Sequence, residues 1–136
     1  MGAASDQGSA TVRRRILLVE DDLHVAETFA ELLELEGFSV AVAHDAESGL
    51  ARARAAPPDL VLCDLTLAGG LDGHAFARAC RAEAALRGLR LIAVSGYSGA
   101  QDRARALESG FDDLIGKPVE LARIHAIFQP ERGAGV

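Results

Sequence analysis

Residues 61–73 read VLCDLTLAGGLDG, and the way this stretch ends decides how the rest of the chain is read. Leu60, Val61, Leu62 and Cys63 make an apolar run of strand length, and the run stops on a carboxylate, Asp64, beside a glycine-rich turn. An ionised carboxylate buried without a partner costs on the order of several kcal/mol. Asp64 therefore either caps a loop or sits at the mouth of a strand, where a cation or a ligand meets it.

The flanking sequence favours a repeated plan. Short apolar runs at 16–19 (ILLV), 40–43 (VAVA), 60–63 (LVLC), 91–94 (LIAV) and 114–115 (LI) have strand length. Most are continuously apolar, as expected for strands covered on both faces. Longer stretches with helical spacing lie between them. Val25, Phe29, Leu32 and Leu33 recur at helical intervals before a stop at Gly37. Asp22, Asp45 and Asp72 are placed to cap the first three helices, and Pro57–Pro58 ends the second. The second carries Leu50 and Ala53, the third Phe76 and Ala79. A fourth ends at Gly110, and a fifth carries Leu121, Ile124, Ile127 and Phe128. Five β–α pairs imply an α/β fold, a parallel sheet with helices on both faces.

The totals agree with one domain. A chain of 136 residues buries roughly two-thirds of its unfolded surface on folding. The domain is expected over residues 15–128, between flexible tails at 1–14 and 129–136, with no room for an output domain after residue 128. The net charge of −6 and pI near 5.1 argue against nucleic-acid binding, and Arg13–Arg14–Arg15 reads as a solvated flank. No apolar stretch approaches the ~20 residues of a membrane span, and the N-terminus has no apolar core of a secretion signal. A cytoplasmic setting follows, with Cys63 and Cys80 as reduced, semi-buried thiols.

A parallel sheet puts every strand's carboxyl end on one edge, where sites form. That edge collects Glu20, Asp21 and Asp22, then Asp64, Ser95 and Lys117. Crowded carboxylates raise one another's pKa unless a cation intervenes, and Mg²⁺ answers that need with oxygen ligands. The same group suits phosphoryl transfer, with a carboxylate as nucleophile and an ammonium and a hydroxyl on the transferring oxygens. Each member alone has an ordinary structural explanation; Asp22, for instance, is first of all a helix cap. Their joint placement is what points to a site.

The segments RILLVEDD, DLVLCDLTLAGGLDG, IAVSGYS and IGKPV together resemble the signature segments of response-regulator receiver domains. These are phosphoacceptor modules of bacterial two-component signalling. The resemblance runs from about Arg15 to Phe128 and implies a flavodoxin-like fold with strand order 2-1-3-4-5. It implies that Asp64 accepts a phosphoryl group from a histidine kinase or histidine phosphotransfer protein. Glu20, Asp21, Asp64 and the main-chain carbonyl of Thr66 would hold Mg²⁺. Ser95 and Lys117 would meet the phosphoryl group, and the Lys117–Pro118 bond is expected to be cis. The charge added would bias a face made by the fourth helix, fifth strand and fifth helix toward an unidentified downstream protein. The module is a switch rather than an enzyme, although family members assist their own phosphotransfer and dephosphorylation.

Three departures from the family pattern stand out. Leu114 occupies the position of a usual aromatic readout, leaving Tyr97 to gate access or share that role. Ala68 replaces a usual proline, and Gly69–Gly70 adds a residue, which loosens the turn. Thr66 and Tyr97 occupy the two positions that influence how fast the phosphoryl group is lost. Thr66 also excludes a haloacid-dehalogenase-type hydrolase, which needs an acid there. GFDDLIGKP fails as a phosphate-binding loop because its glycine spacing is wrong and Pro118 stands where a hydroxyl is required. The four histidines show no metal-ligand spacing. An unphosphorylated interaction module is the alternative reading, and the chain suits either a stand-alone regulator or a receiver from a hybrid kinase.

Overall fold

Five parallel strands form one sheet, in the order β2-β1-β3-β4-β5, in the computed structural model, which describes residues 13–67 and 72–129. The strands are β1 (Arg15–Val19), β2 (Ser39–Ala43), β3 (Leu60–Asp64), β4 (Leu91–Ser95) and β5 (Asp113–Gly116). They alternate with α1 (Leu23–Leu35), α2 (Ala46–Ala55), α3 (Gly73–Ala82), α4 (Ala100–Ser109) and α5 (Leu121–Phe128). This is the flavodoxin-like order expected. Most of the expected tails, and the departure at Ala68, Gly69 and Gly70, lie outside the described residues.

The period-two geometry of the strands divides the core into two layers. Leu17, Val19, Val61, Cys63, Leu91, Ala93 and Leu114 point to one face, where α2, α3 and α4 cover them. Ile16, Leu18, Leu60, Leu62, Ile92, Val94 and Ile115 point to the other, against α1 and α5. Both faces being covered explains why the strands read as continuous apolar runs.

The predicted caps form. Asp22, Asp45 and Asp72 accept from the backbone N–H groups of Val25, Ser48 and Ala75 at 3.0, 2.7 and 2.8 Å. Each such cap stabilises its helix by about 1 kcal/mol. Gly37 follows α1 with φ +101°, a conformation that disfavours any other residue there. Arg13, Arg14 and Arg15 are exposed as expected, but the Arg15 guanidinium also donates to the carbonyls of Pro57 and Ala56, at 2.7 and 3.0 Å, tying the β1 start to the end of α2.

The face of α1 differs from the periodic reading. Ala26 and Leu33 are buried and Phe29 partly so, but Val25 and Leu32 are each 44% exposed. The apolar stripe is wider than the sheet and the eight-residue α5 can cover. Its uncovered edge becomes one wall of a groove. Cys63 and Cys80 are fully rather than partly buried. Burial pushes the Cys63 thiol well up and that of Cys80 to about 11, so neither is a thiolate near neutral pH.

Candidate functional site

Asp64 is the last residue of β3, and the strand register brings it beside Glu20. Ile16 to Val19 pair with Leu60 to Cys63, so the next step along each strand sets Glu20 against Asp64. Both occupy the side of the sheet that faces α1 and α5, in phase with Leu18 and Leu62. The Glu20 N–H donates to the Ala43 carbonyl (2.9 Å) and the Lys117 N–H to the Ser95 carbonyl (2.9 Å). The sheet ladder thus extends past the strand ends and holds the site residues in rigid backbone.

Glu20 and Asp64 are only 5% and 6% exposed, and Asp21 is half-buried. One carboxylate oxygen from each of the three lies within 4.8 Å of the others. Among the described residues this is the one cluster of side chains close enough to share a metal ion. The Lys117 ammonium lies 3.1 Å from Asp64 Oδ2 and 3.9 Å from Glu20 Oε1. The Thr66 N–H donates to Asp64 Oδ1 at 2.9 Å. Ser95 ends β4, buried, and its Oγ accepts from the Tyr97 N–H at 3.0 Å. The Lys117–Pro118 peptide is cis. Glu20, Asp21, Asp64 and Lys117 thus come together, with Thr66 bonded to Asp64 and Ser95 at the end of the neighbouring strand.

Burial first, and the Asp64 charge beside it, push the Glu20 carboxyl up to about 7, against the lowering pull of the Asp22 N–H. The sign for stability follows. Between pH 4.5 and 7 the folded chain holds a proton that the unfolded chain has lost, so stability falls as pH rises through that window. In metal-free protein, denaturant midpoints are expected to decline from pH 5 to 7.5 and to flatten in Glu20→Gln. An unchanged slope in that variant removes Glu20 as the cause.

A glycine fixes how closely the α3 start approaches the site. A Cβ on Gly73 would lie 2.6 Å from the Asp64 carbonyl oxygen and 2.7 Å from Leu65 Cα, both backbone atoms that cannot yield cheaply. Gly73→Ala is therefore expected to destabilise the fold by about 1–3 kcal/mol. An unchanged urea midpoint would contradict that close approach.

Leu114, at the position of the usual aromatic, is 4% exposed and built into the core facing α2–α4, while Tyr97 is 77% exposed. Sequence reasoning missed the groove beside the carboxylates. It encloses about 650 Å³ between α1 and the start of α5, lined by Val25, Phe29, Leu32, Pro118, Val119 and Leu121, and reaches Glu20, Asp64 and Lys117 at its floor. The available signal was the width of the apolar stripe on α1. Among the described residues, no helix is long and apolar enough to cross a membrane.

Comparison with known proteins agrees with this geometry. The family model for the response regulator receiver domain matches residues 16–129. The phosphate regulon transcriptional regulatory protein PhoB of Klebsiella pneumoniae is 36% identical over 120 residues, covering 85% of this chain and 52% of PhoB. The DNA-binding response regulator MtrA of Mycobacterium tuberculosis is 38% identical, covering 85% of this chain and 51% of MtrA. The chain thus spans about half the length of these relatives. A CheY-like receiver domain protein from Methanospirillum hungatei superposes with a TM-score of 0.73 at 29% identity, over 85% of this chain and 90% of that one.

These relatives correct one expectation. MtrA is named a DNA-binding response regulator, so the expectation of no nucleic-acid partner does not stand. Its ground was a net charge of −6, which describes only these 136 residues and not the other half of such a relative. The shared topology, the joined acidic edge and the family match place this chain in the response regulator receiver domain family of two-component signalling.

Proposed function

We propose that Asp64 is the phosphoacceptor of this receiver, that Mg²⁺ is its cofactor, and that phosphorylation switches the surface the domain offers a partner. The observation that carries this reading is the meeting of three carboxylates within 4.8 Å of one another, with the Lys117 ammonium beside Asp64 and Glu20. An all-oxygen donor set under mutual repulsion fits a hard divalent cation. Glu20, Asp21 and Asp64, with the Thr66 carbonyl, are the residues assigned to hold it. When bound, the ion neutralises charge on the oxygens of the transferring group.

Each side chain has a distinct task. An Asp64 oxygen attacks phosphorus in a phosphohistidine, the P–N bond breaks, and the histidine leaves with its electron pair as an acyl phosphate forms. Lys117 follows the charge from the carboxylate to the new phosphoryl oxygens. Ser95 gives up the Tyr97 N–H contact and turns its hydroxyl to donate to one of those oxygens. The groove along α1 gives a protein donor an apolar resting place that ends at Asp64. Any self-catalysed loss of the phosphoryl group belongs to the same site, with Thr66 and Tyr97 flanking it.

The test is intact mass after incubation with acetyl phosphate. A gain of one phosphoryl mass in the presence of Mg²⁺, absent with a chelator, is the expected result. No gain from acetyl phosphate or from any histidine-phosphorylated donor, with the fold intact, would overturn it and leave an interaction module.

A further inference from the structure

On the face of the sheet covered by α2, α3 and α4, the three helices are anchored unequally. Helices α2 and α3 each bury four residues, whereas α4 buries only Ala106 and Ser109. What holds α4 is concentrated at its C-terminal end. The Ser109 hydroxyl donates to the Arg105 carbonyl (3.0 Å), and His74 of α3 contacts Ser109 Oγ through Nδ1. With the hydroxyl proton engaged, His74 is the donor in that contact, and Arg78 Nη1 approaches the same oxygen at 3.5 Å. Gly110, at φ +119°, lies so near α3 that a Cβ there would fall 2.8 Å from Arg81 Cγ. Arg81 Nε donates to the Gly110 carbonyl at 2.8 Å.

The other end is held loosely. Gly99 offers no side-chain cap, and Ala100 and Gln101 are exposed. Its ties are the Asp102 carboxylate accepting from the Gly99 N–H (3.1 Å) and an Arg103–Asp113 ion pair at 2.8 Å whose partners both reach solvent. Such an exposed pair holds a helix end only weakly. This end follows Ser95 by way of a short loop.

We propose that His74 is a positioning residue. Its bond to Ser109 pins the C-terminal end of α4, so that displacement arising at the strand ends is taken up by the N-terminal end of the helix, which pivots. The pin is a property of the unphosphorylated chain. Only its use in signalling rests on the proposed role of Asp64.

Hydrogen exchange on the unphosphorylated full chain tests it. In the native protein, amides in the first half of α4 are expected to exchange faster than those at 106–110. His74→Ala and Ser109→Ala should each speed exchange at 106–110 by about three- to tenfold, the effect of one lost hydrogen bond, with α2 unchanged. The double variant should add little to either single one. His74→Asn, which keeps a donor near the same place, should restore protection. Uniform acceleration across the domain, or no change at 106–110, would overturn the pin. Phosphoryl uptake, read separately by mass, reports on Asp64 and not on His74.

Discussion

Asp64→Asn is expected to abolish phosphoryl uptake from acetyl phosphate while the domain stays folded. The amide is no nucleophile toward phosphorus, yet it matches the carboxylate in shape and keeps an oxygen to accept from the Thr66 N–H, now at 2.9 Å. The same change removes a negative charge from a crowded pair. Glu20 should then titrate below its present value of about 7, because one of the causes holding it there is gone and Lys117 is freed to face it. Intact mass reads the first effect and carboxyl NMR titration the second. A variant that still gains a phosphoryl group places the acceptor elsewhere; a Glu20 midpoint that does not move shows that burial alone sets it.

The largest stability loss is expected at Phe76. Its side chain is fully buried in the layer between the sheet and α2–α4, against a wall where Gly49 allows close packing: a Cβ on Gly49 would lie 3.1 Å from both the Phe76 ring and Val19. Phe76→Ala removes the ring and leaves a cavity in a sheet-backed layer with little freedom to collapse. The cost is about 3–5 kcal/mol. That is a large share of the ~5–15 kcal/mol typical of a whole domain, and corresponds to a fall in Tm on the order of 10 °C. Urea denaturation with an unchanged m-value reads it. A loss below ~1 kcal/mol would mean that neighbouring side chains refill the space.

Local rules carried much of the fold. The three aspartate caps, the stops at Gly37 and Gly110 and the five apolar runs all act over a few residues, and the structure realises each of them. Where the reading failed, the deciding contact was distant in sequence. Val25 and Leu32 repeat like core residues but stay half-exposed, because α5, about ninety residues on, is too short to cover them. Arg15 is exposed as a basic flank is, but its bonds to the end of α2 join segments about forty residues apart and could not be read locally. No periodicity could pair His74 with Ser109, whose contact depends on how α3 and α4 lie side by side.

For the site, the residue types at the strand ends, and hence the candidate chemistry, are a property of the sequence alone. A parallel sheet has one carboxyl edge, so Glu20, Asp64, Ser95 and Lys117 had to share it. Only the tertiary structure decided which of them touch. The β1–β3 register, with Val19 opposite Cys63, sets Glu20 beside Asp64 on the α1–α5 side, and the turn after β5 brings Lys117 within 3.1 Å. Register is chosen by the packing of both apolar layers at once, and a shift of one residue would send the two carboxylates to opposite faces.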